Sequence, residues 1–190
     1  MKKLQTSQNG ILFIKSFEKC KLVPYQDSNG IWTIGWGNTF DLNNKRVTKN
    51  TIALTQAQAD ELFIKHLSFY EDEINEWVVI LRAKSKDKNI YLVTQYEFDS
   101  MVSCNYNVTN PRFIYSNCKE AMVKCQIDLA MKQWNWGFAK KEKGLIKRRI
   151  AEQRVCKEGK YTYLVGGKDM WAGDLSWEQF LVFYPEYKNL

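Results

Sequence analysis

Three side chains that could take part in acid–base chemistry lie close together in the chain: Glu18, Asp27 and Thr33. Two carboxyl groups facing one cleft are what hydrolysis of a glycosidic bond requires, because one protonates the departing oxygen while the other activates water or attacks the sugar. The pair alone is weak evidence, since the chain has 21 acidic residues. A shared cleft for the three side chains is therefore a hypothesis that their surroundings must support.

The residues around these side chains predict a helix end followed by a tight hairpin. Thr6 or Ser7 can cap a first helix, so that Glu18 falls at or near its C-terminal end. Turn formers follow, and the run Ile31 to Trp36 predicts a short strand that carries the threonine. We expect residues 24 to 48 to form a small antiparallel sheet.

Helical patterns account for most of the remaining chain. Thr55 and Gln58 have capping-box spacing and open a long amphipathic helix that runs to near Arg82, long enough to connect two lobes. A short helix begins at Ser176. Further helices are predicted over residues 94–108, 118–133 and 145–156. The pattern predicts an α+β protein that is predominantly helical, with a small β-containing N-terminal lobe and a larger helical one.

The composition limits the possible partners and cofactors. A net charge of +7 and a pI of about 9.1 suit an anionic polymer, which could be nucleic acid, a membrane surface or a cell wall. Five cysteines without CxxC spacing and a single histidine argue against a metal site, and no cofactor is expected. The basic cluster Lys147, Arg148 and Arg149 is read as a solvated helix face. The cysteines are expected to be mostly reduced and buried.

The chain has no apolar stretch of roughly 20 residues, the length that a membrane span needs. Met1, Lys2 and Lys3 are not followed by the apolar run of a signal peptide. We therefore expect a protein made in the cytoplasm, without stable membrane insertion.

The segment from Phe17 to Gly37 resembles the phage-type lysozymes, the endolysins of glycoside hydrolase family 24. Their signature is a Glu, eight residues, an Asp, five residues and a Thr, and Glu18, Asp27 and Thr33 match both gaps. The resemblance covers roughly residues 8 to 163. It continues in LTQAQADELF at Leu54 to Phe63, FDSMVSCNYNV at Phe98 to Val108 and GLIKRRIAEQRVC at Gly144 to Cys156.

The resemblance implies a muramidase that cleaves the β-1,4 bond between N-acetylmuramic acid and N-acetylglucosamine in peptidoglycan. Glu18 would be the general acid. Asp27 would orient and activate the attacking water or stabilise positive charge on the sugar, and Thr33 would hold that water. A water held in this way favours inversion, which needs carboxyl groups roughly 6.5–9.5 Å apart.

The resemblance places Asn107 in the cleft, and Trp36, Asn38 and Arg148 are further candidate substrate contacts. For Arg148 two roles remain open: it binds substrate or braces the helix of Glu18, or it forms a structural pair with Glu152. The sequence departs from the family pattern in three places, with Lys19 after the acid, Asn38 in place of a histidine and Thr109 in place of a glycine. These departures affect the expected cleft shape and stability more than the chemistry.

The resemblance divides the chain into a lysozyme-like catalytic domain over residues 1–165, whose lobes share the helix at about 56–82, and an aromatic extension over residues 166–190. The extension is expected to pack on the body, with a wall-binding surface as the alternative. The implied partner is the peptidoglycan glycan strand, reached in the wall or periplasm by way of a holin or a secretion machine. A monomer is expected, and a delivered effector would also imply an inhibitor protein.

Three other functions are weighed against hydrolysis. A lytic transglycosylase would form an anhydro sugar without a positioned water, which the presence of Asp27 and Thr33 argues against. A non-catalytic cationic module that binds cell walls would act through charge alone. A nucleic-acid binder is suggested only by the pI, and no helix-turn-helix or stacking motif supports it.

Overall fold

The computed structural model describes residues 3–27, 29–84, 93–108 and 143–189. These form two compact units, one of residues 18–69 and one of residues 1–17 together with 70–190. The helix predicted over 118–133 lies outside the described residues. None of the described helices has the length and apolar character to cross a membrane.

The unit of residues 18–69 is built on the predicted antiparallel sheet. Strand β1, Lys21–Gln26, pairs with strand β2, Trp32–Gly35, in a register that places Tyr25 opposite Thr33. Isolated β-bridges lie beyond these two strands, including one between Phe40 and Arg46. The core beneath the sheet consists of Ile34, Val47 and Leu62, with Trp32, Leu42 and Leu54 packed around them.

Helix α2, Gln56–Lys84, begins at the predicted capping box. The backbone N–H of Thr55 donates to Gln58 Oε1 at 2.9 Å, and the N–H of Gln58 donates to Thr55 Oγ1 at 3.2 Å. Two of the unpaired N–H groups at the helix start are satisfied reciprocally in this way.

In its described residues, the other unit contains three longer helices besides the last part of α2, and a C-terminal group of short elements. Their bounds are α1 Gln8–Phe17, α3 Gln95–Val108, α4 Lys143–Glu158, β3 Thr162–Val165, β4 Lys168–Trp171, a 3₁₀ turn at Ala172–Asp174, α5 Trp177–Phe183 and a 3₁₀ turn at Pro185–Tyr187. The mainly helical α+β class is confirmed. Cys104 and Cys156 are buried thiols, as expected.

The N-terminus of α1 is held by a buried carboxylate on α3. Ser7 caps α1, since its Oγ accepts from the N–H of Gly10 at 3.0 Å, and Ser7 in turn donates through N–H and hydroxyl to fully buried Asp99. Gln95 Nε2 and the Tyr161 hydroxyl each donate to Asp99 at 2.8 Å. Burial and the Asp99 carboxylate raise the pKa of Tyr161, so its hydroxyl remains a donor.

The expectation of a solvated basic face on α4 is wrong for Arg148 and Arg149, which are 3% and 1% exposed. Both pair with the buried carboxylate of Glu152, at 3.2 and 2.7 Å, and Ser103 Oγ donates to the same oxygen at 2.7 Å. The helical spacing places both arginines within reach of one acid, and the charges are tolerated because they are paired. Lys147, the third member of the cluster, donates to the carbonyls of Gly173 and Leu175.

The C-terminal residues pack on α4, and they begin with a hairpin that the sequence reading missed. Strands β3 and β4 are joined by Gly166 and Gly167, both at positive φ, in the two-residue turn that such a hairpin favours. The hairpin spans residues 165 and 166, which are the predicted boundary between the catalytic domain and the C-terminal extension. The helix predicted from Ser176 is confirmed, with Ser176 and Gln179 forming a capping box. It buries Phe180 against Ile146 and Ile150.

Gly173 lies so close to the end of α1 that no side chain fits there. Its N–H donates to Ser16 Oγ at 3.1 Å, and an added β-carbon would lie 2.1 Å from the Ser16 carbonyl oxygen. Because the obstacle is backbone, we expect Gly173→Ala to lower the free energy of unfolding by roughly 3 kcal/mol, measured by urea unfolding. Gly144→Ala on α4 is the control, since a β-carbon there meets nothing within 4 Å. Equal urea midpoints for Gly173→Ala and Gly144→Ala would contradict the close packing of Gly173 on the end of α1.

Candidate active site

Asp27 closes the turn between β1 and β2 with one of its carboxylate oxygens. Oδ1 accepts from the N–H of Asn29 at 2.9 Å and from the N–H of Ile31 at 2.8 Å. The backbone of the turn is closed by the N–H of Asp27 donating to the Ile31 carbonyl at 3.0 Å. The turn therefore holds the carboxylate in one orientation, and Oδ2 takes no part in it.

Glu18 is the first residue after α1 and lies beside the turn that follows β2. Its side chain is half-buried, and a β-carbon built on Gly37 would lie 3.9 Å from Glu18 Oε2. The predicted position of the acid at the helix end is confirmed, since α1 ends at Phe17.

The charges of both Glu18 and Asp27 influence the ionisation of Tyr25. Burial raises the pKa of Tyr25, and the negative charges of Glu18 and Asp27 raise it further. Both carboxylates therefore disfavour loss of the phenol proton. Lys21 Nζ lies 4.0 Å from the centre of the tyrosine ring.

Tyr25 was not among the site residues predicted from the sequence, although the strand pattern around it could have identified it. Alternate residues of a strand point to the same face, and directly opposed residues of an antiparallel pair are neighbours on that face. Tyr25 stands two positions before Asp27 and pairs with Thr33. A strand prediction over this segment therefore already placed a tyrosine among the three candidate side chains.

Thr33 is buried within the sheet, with 3% of its surface exposed. Its Oγ1 donates to the carbonyl of Ile31 at 3.0 Å, in the same turn that Asp27 closes. Because the hydroxyl proton is used in this bond, the oxygen lone pairs are the part of the side chain suited to bind a water molecule.

The four expected substrate contacts differ in their surroundings. Trp36 is half-buried and anchored on α2, where its Nε1 donates to Asp60 Oδ1 at 2.7 Å. Asn107 is half-buried in the last turn of α3. Asn38 is fully buried and leaves no surface for a substrate to contact, and its backbone pairs with Ile34 in an isolated bridge.

Arg148 is held by internal partners and is not turned to solvent. Its guanidinium pairs with Glu152, donates to the Ser103 carbonyl at 3.2 Å and lies 5.2 Å from the centre of the Phe17 ring. Phe17 ends the helix that leads into Glu18. The structure thus favours the bracing and structural roles of Arg148 over the substrate-binding role.

The arrangement suits acid–base chemistry. Two carboxylates, a protonated phenol and a threonine hydroxyl come from one short stretch of chain, and the turn and the strand pairing hold three of the four. Among the described residues, no group of three or more His, Cys, Asp or Glu side chains is placed to hold a metal ion.

Comparisons with known proteins agree on one family. Residues 15–152 match the family model described as phage lysozyme. An endolysin of Bacillus phage PZA is 30% identical over 162 residues, which are 82% of this chain and 56% of that protein. An endolysin of Acyrthosiphon pisum secondary endosymbiont phage 1 is 29% identical over 159 residues, which are 80% of this chain and 97% of that protein.

A solved structure extends the similarity to the fold. The endolysin from Escherichia coli O157:H7 phage FAHEc1 aligns with a TM-score of 0.68 and 27% identity, over 85% of this chain and 99% of that chain. The chain therefore spans about half the length of the Bacillus phage relative and nearly the full length of the other two proteins.

The proximity of both carboxylates to Tyr25 can be measured directly. Because each negative charge raises the pKa of Tyr25, we expect Glu18→Gln and Asp27→Asn each to lower it, with burial keeping it above the ordinary value. The measurement is an alkaline titration followed by NMR of the labelled tyrosine ring carbon. Asp41→Asn is the control, since Asp41 closes its own turn in the way that Asp27 does, through the N–H groups of Asn43 and Lys45. If the control lowers the pKa of Tyr25 as much as the two site variants do, the four side chains do not share one site.

Proposed function

The chain belongs to the phage lysozyme family, and we propose that it cleaves the β-1,4 bond between N-acetylmuramic acid and N-acetylglucosamine with inversion, using Glu18, Asp27 and Thr33. The family and fold make the reaction class that of a glycoside hydrolase acting on peptidoglycan. The observation that carries the residue assignment is the hairpin, in which Asp27 closes the turn, Thr33 donates into the same turn and Glu18 lies beside the turn that follows β2.

Glu18 acts as the general acid in this proposal. A glycosidic oxygen is a poor leaving group until it is protonated, and a positioned acid typically accelerates such a step by ~10²–10⁴-fold. The position of Glu18 at the end of a braced helix supports the role, because the proton must be presented in one fixed direction.

In this proposal, Asp27 and Thr33 bind the attacking water, and Asp27 activates it. Oδ1 of Asp27 is held by two backbone N–H groups, so Oδ2 is the oxygen that would accept a proton from the water. The Thr33 oxygen would accept a second hydrogen bond from the same molecule. A water bound between a carboxylate and the sugar leads to inversion at the anomeric carbon.

Tyr25 acts in this proposal as a positioning residue between the two carboxylates. Since its pKa is raised, the phenol stays protonated at neutral pH and adds no third negative charge. Trp36 and Asn107 remain the proposed substrate contacts.

The cell wall is the proposed site of action. A holin pore or a secretion machine would bring the protein there, in host-cell lysis or as a delivered effector, and an effector would require an inhibitor protein in the producing cell. We propose that it acts as a monomer, because all four proposed site residues come from one chain.

Glu18→Gln tests the acid. We expect clearing of purified sacculi to fall by at least ~10²-fold without loss of folding, because the amide cannot donate the proton. Glu61→Gln, an exposed site on α2, is the matched control and should retain activity. Lysis retained by Glu18→Gln would support the cationic wall-binding alternative.

Asp27→Asn tests the base and the stereochemistry. The asparagine Oδ1 can still accept the two turn hydrogen bonds, so we expect the fold to survive while activity falls by ~10²–10⁴-fold. Asp41→Asn, in the equivalent turn, should leave activity unchanged. NMR of the products of the unaltered protein should show the inverted anomer first. Anhydro products in mass spectrometry would instead identify a lytic transglycosylase.

A further inference from the structure

The outer face of the β3–β4 hairpin borders a cavity of about 460 Å³ that the proposed reaction does not use. The cavity lies in the unit that contains α4, and most of its lining follows residue 152, where the match to the family model ends. Its size falls within the roughly 300–1,000 Å³ of small-molecule sites.

The strand pairing explains which hairpin side chains reach the cavity. Thr162 is paired with Trp171 and Leu164 with Asp169, so these four side chains share one face of the hairpin. All four line the cavity. Tyr163, on the opposite face, is buried. The hairpin therefore turns one face to the core and presents the other as a wall of the cavity.

A fixed guanidinium forms another side of the cavity. Arg154 Nη1 donates to the Thr162 carbonyl at 2.6 Å, and the guanidinium carbon lies 4.0 Å from the centre of the Tyr163 ring. Its Nε is also 3.9 Å from Glu158 Oε2. Since a guanidinium carries five N–H groups, these contacts orient the side chain and leave donors for a ligand.

The rest of the lining supplies both donors and acceptors beside aromatic rings. Lys160 and Asn9 are exposed at the rim, Asp169 adds a carboxylate, and Tyr161 and Trp171 are half-buried. Positive and negative groups are balanced, because Lys160 pairs with Glu158 at 3.1 Å. This lining suits an uncharged, polar ligand rather than a polyanion.

We propose that this cavity is an accessory site for an N-acetylhexosamine unit of the glycan strand, an inference that rests on the proposed function. Sugar hydroxyl and acetamide groups need donors and acceptors together, while the C–H face of a pyranose packs on an aromatic ring such as that of Trp171. A second contact to the same polymer raises overall affinity through effective concentration, without changing the cleavage step.

Binding is tested first without hydrolysis. The full-length Glu18→Gln protein is titrated with the soluble tetramer of N-acetylglucosamine and followed by backbone amide NMR. Saturable shifts at Thr162, Asp169 and Trp171 are expected. Shifts that saturate elsewhere in the chain and leave these residues unmoved would overturn the proposal.

The contribution to wall degradation is tested in the protein with Glu18 intact. Trp171→Ala should lower clearing of sacculi about tenfold while turnover of a short soluble oligosaccharide is unchanged, and Trp171→Phe should restore clearing. Lys160→Ala should also lower clearing of sacculi, by a smaller factor, while turnover of the short oligosaccharide is unchanged. Lys168→Ala, an exposed lysine of the hairpin outside the cavity lining, is the charge-matched control and should clear sacculi normally.

The outcomes separate this inference from the proposed function. Folded Trp171→Ala that clears sacculi at the normal rate, or that loses both activities equally, overturns the accessory site and leaves the role of Glu18 intact. If Trp171→Ala fails to fold, Lys160→Ala and the amide titration decide. Lysis retained by Glu18→Gln would remove the proposed chemistry, whatever the hairpin binds.

Discussion

The structure depends on two buried carboxylates that hold the two ends of α1. Asp99 accepts from the cap of the helix and from Tyr161, while Glu152 pairs with Arg148, whose guanidinium lies against Phe17 at the other end. A buried charge is tolerated only when donors surround it, so removing one partner is costly. The helix that ends at Glu18 is therefore fixed by polar contacts as well as by apolar packing.

The proposed site, in the unit of residues 18–69, has its own sources of rigidity. A carboxylate that closes a turn cannot rotate freely, and the strand pairing fixes Tyr25 opposite Thr33. Preorganised groups of this kind need not rearrange during a reaction, which is how an active site gains most of its electrostatic advantage. The phenol of Tyr25 stays neutral there, because burial and the charges of both carboxylates raise its pKa.

The C-terminal residues support α1 and also form the hairpin that lines the proposed accessory site. Gly173 packs directly on the end of α1, and Lys147 ties the same segment to α4 through the carbonyls of Gly173 and Leu175. The segment therefore helps to fix the helix that precedes Glu18, while the hairpin just before it exposes a polar and aromatic face. Structural support and contact with a polymeric substrate can coexist there, because the two faces of a strand pair point in opposite directions.

The sequence was enough to predict the family, the fold class, the capping box at Thr55 and a helix from Ser176, and it left Thr6 and Ser7 as alternative caps of α1. These features depend on neighbours along the chain, as does the spacing of Glu18, Asp27 and Thr33. Only tertiary contacts bury Arg148 and Arg149 beside Glu152 and turn the side chain of Asn38 inward. Local periodicity cannot report burial of a charge, since the cost of burying it is set by partners such as Ser103 and Phe17 that are distant in the chain.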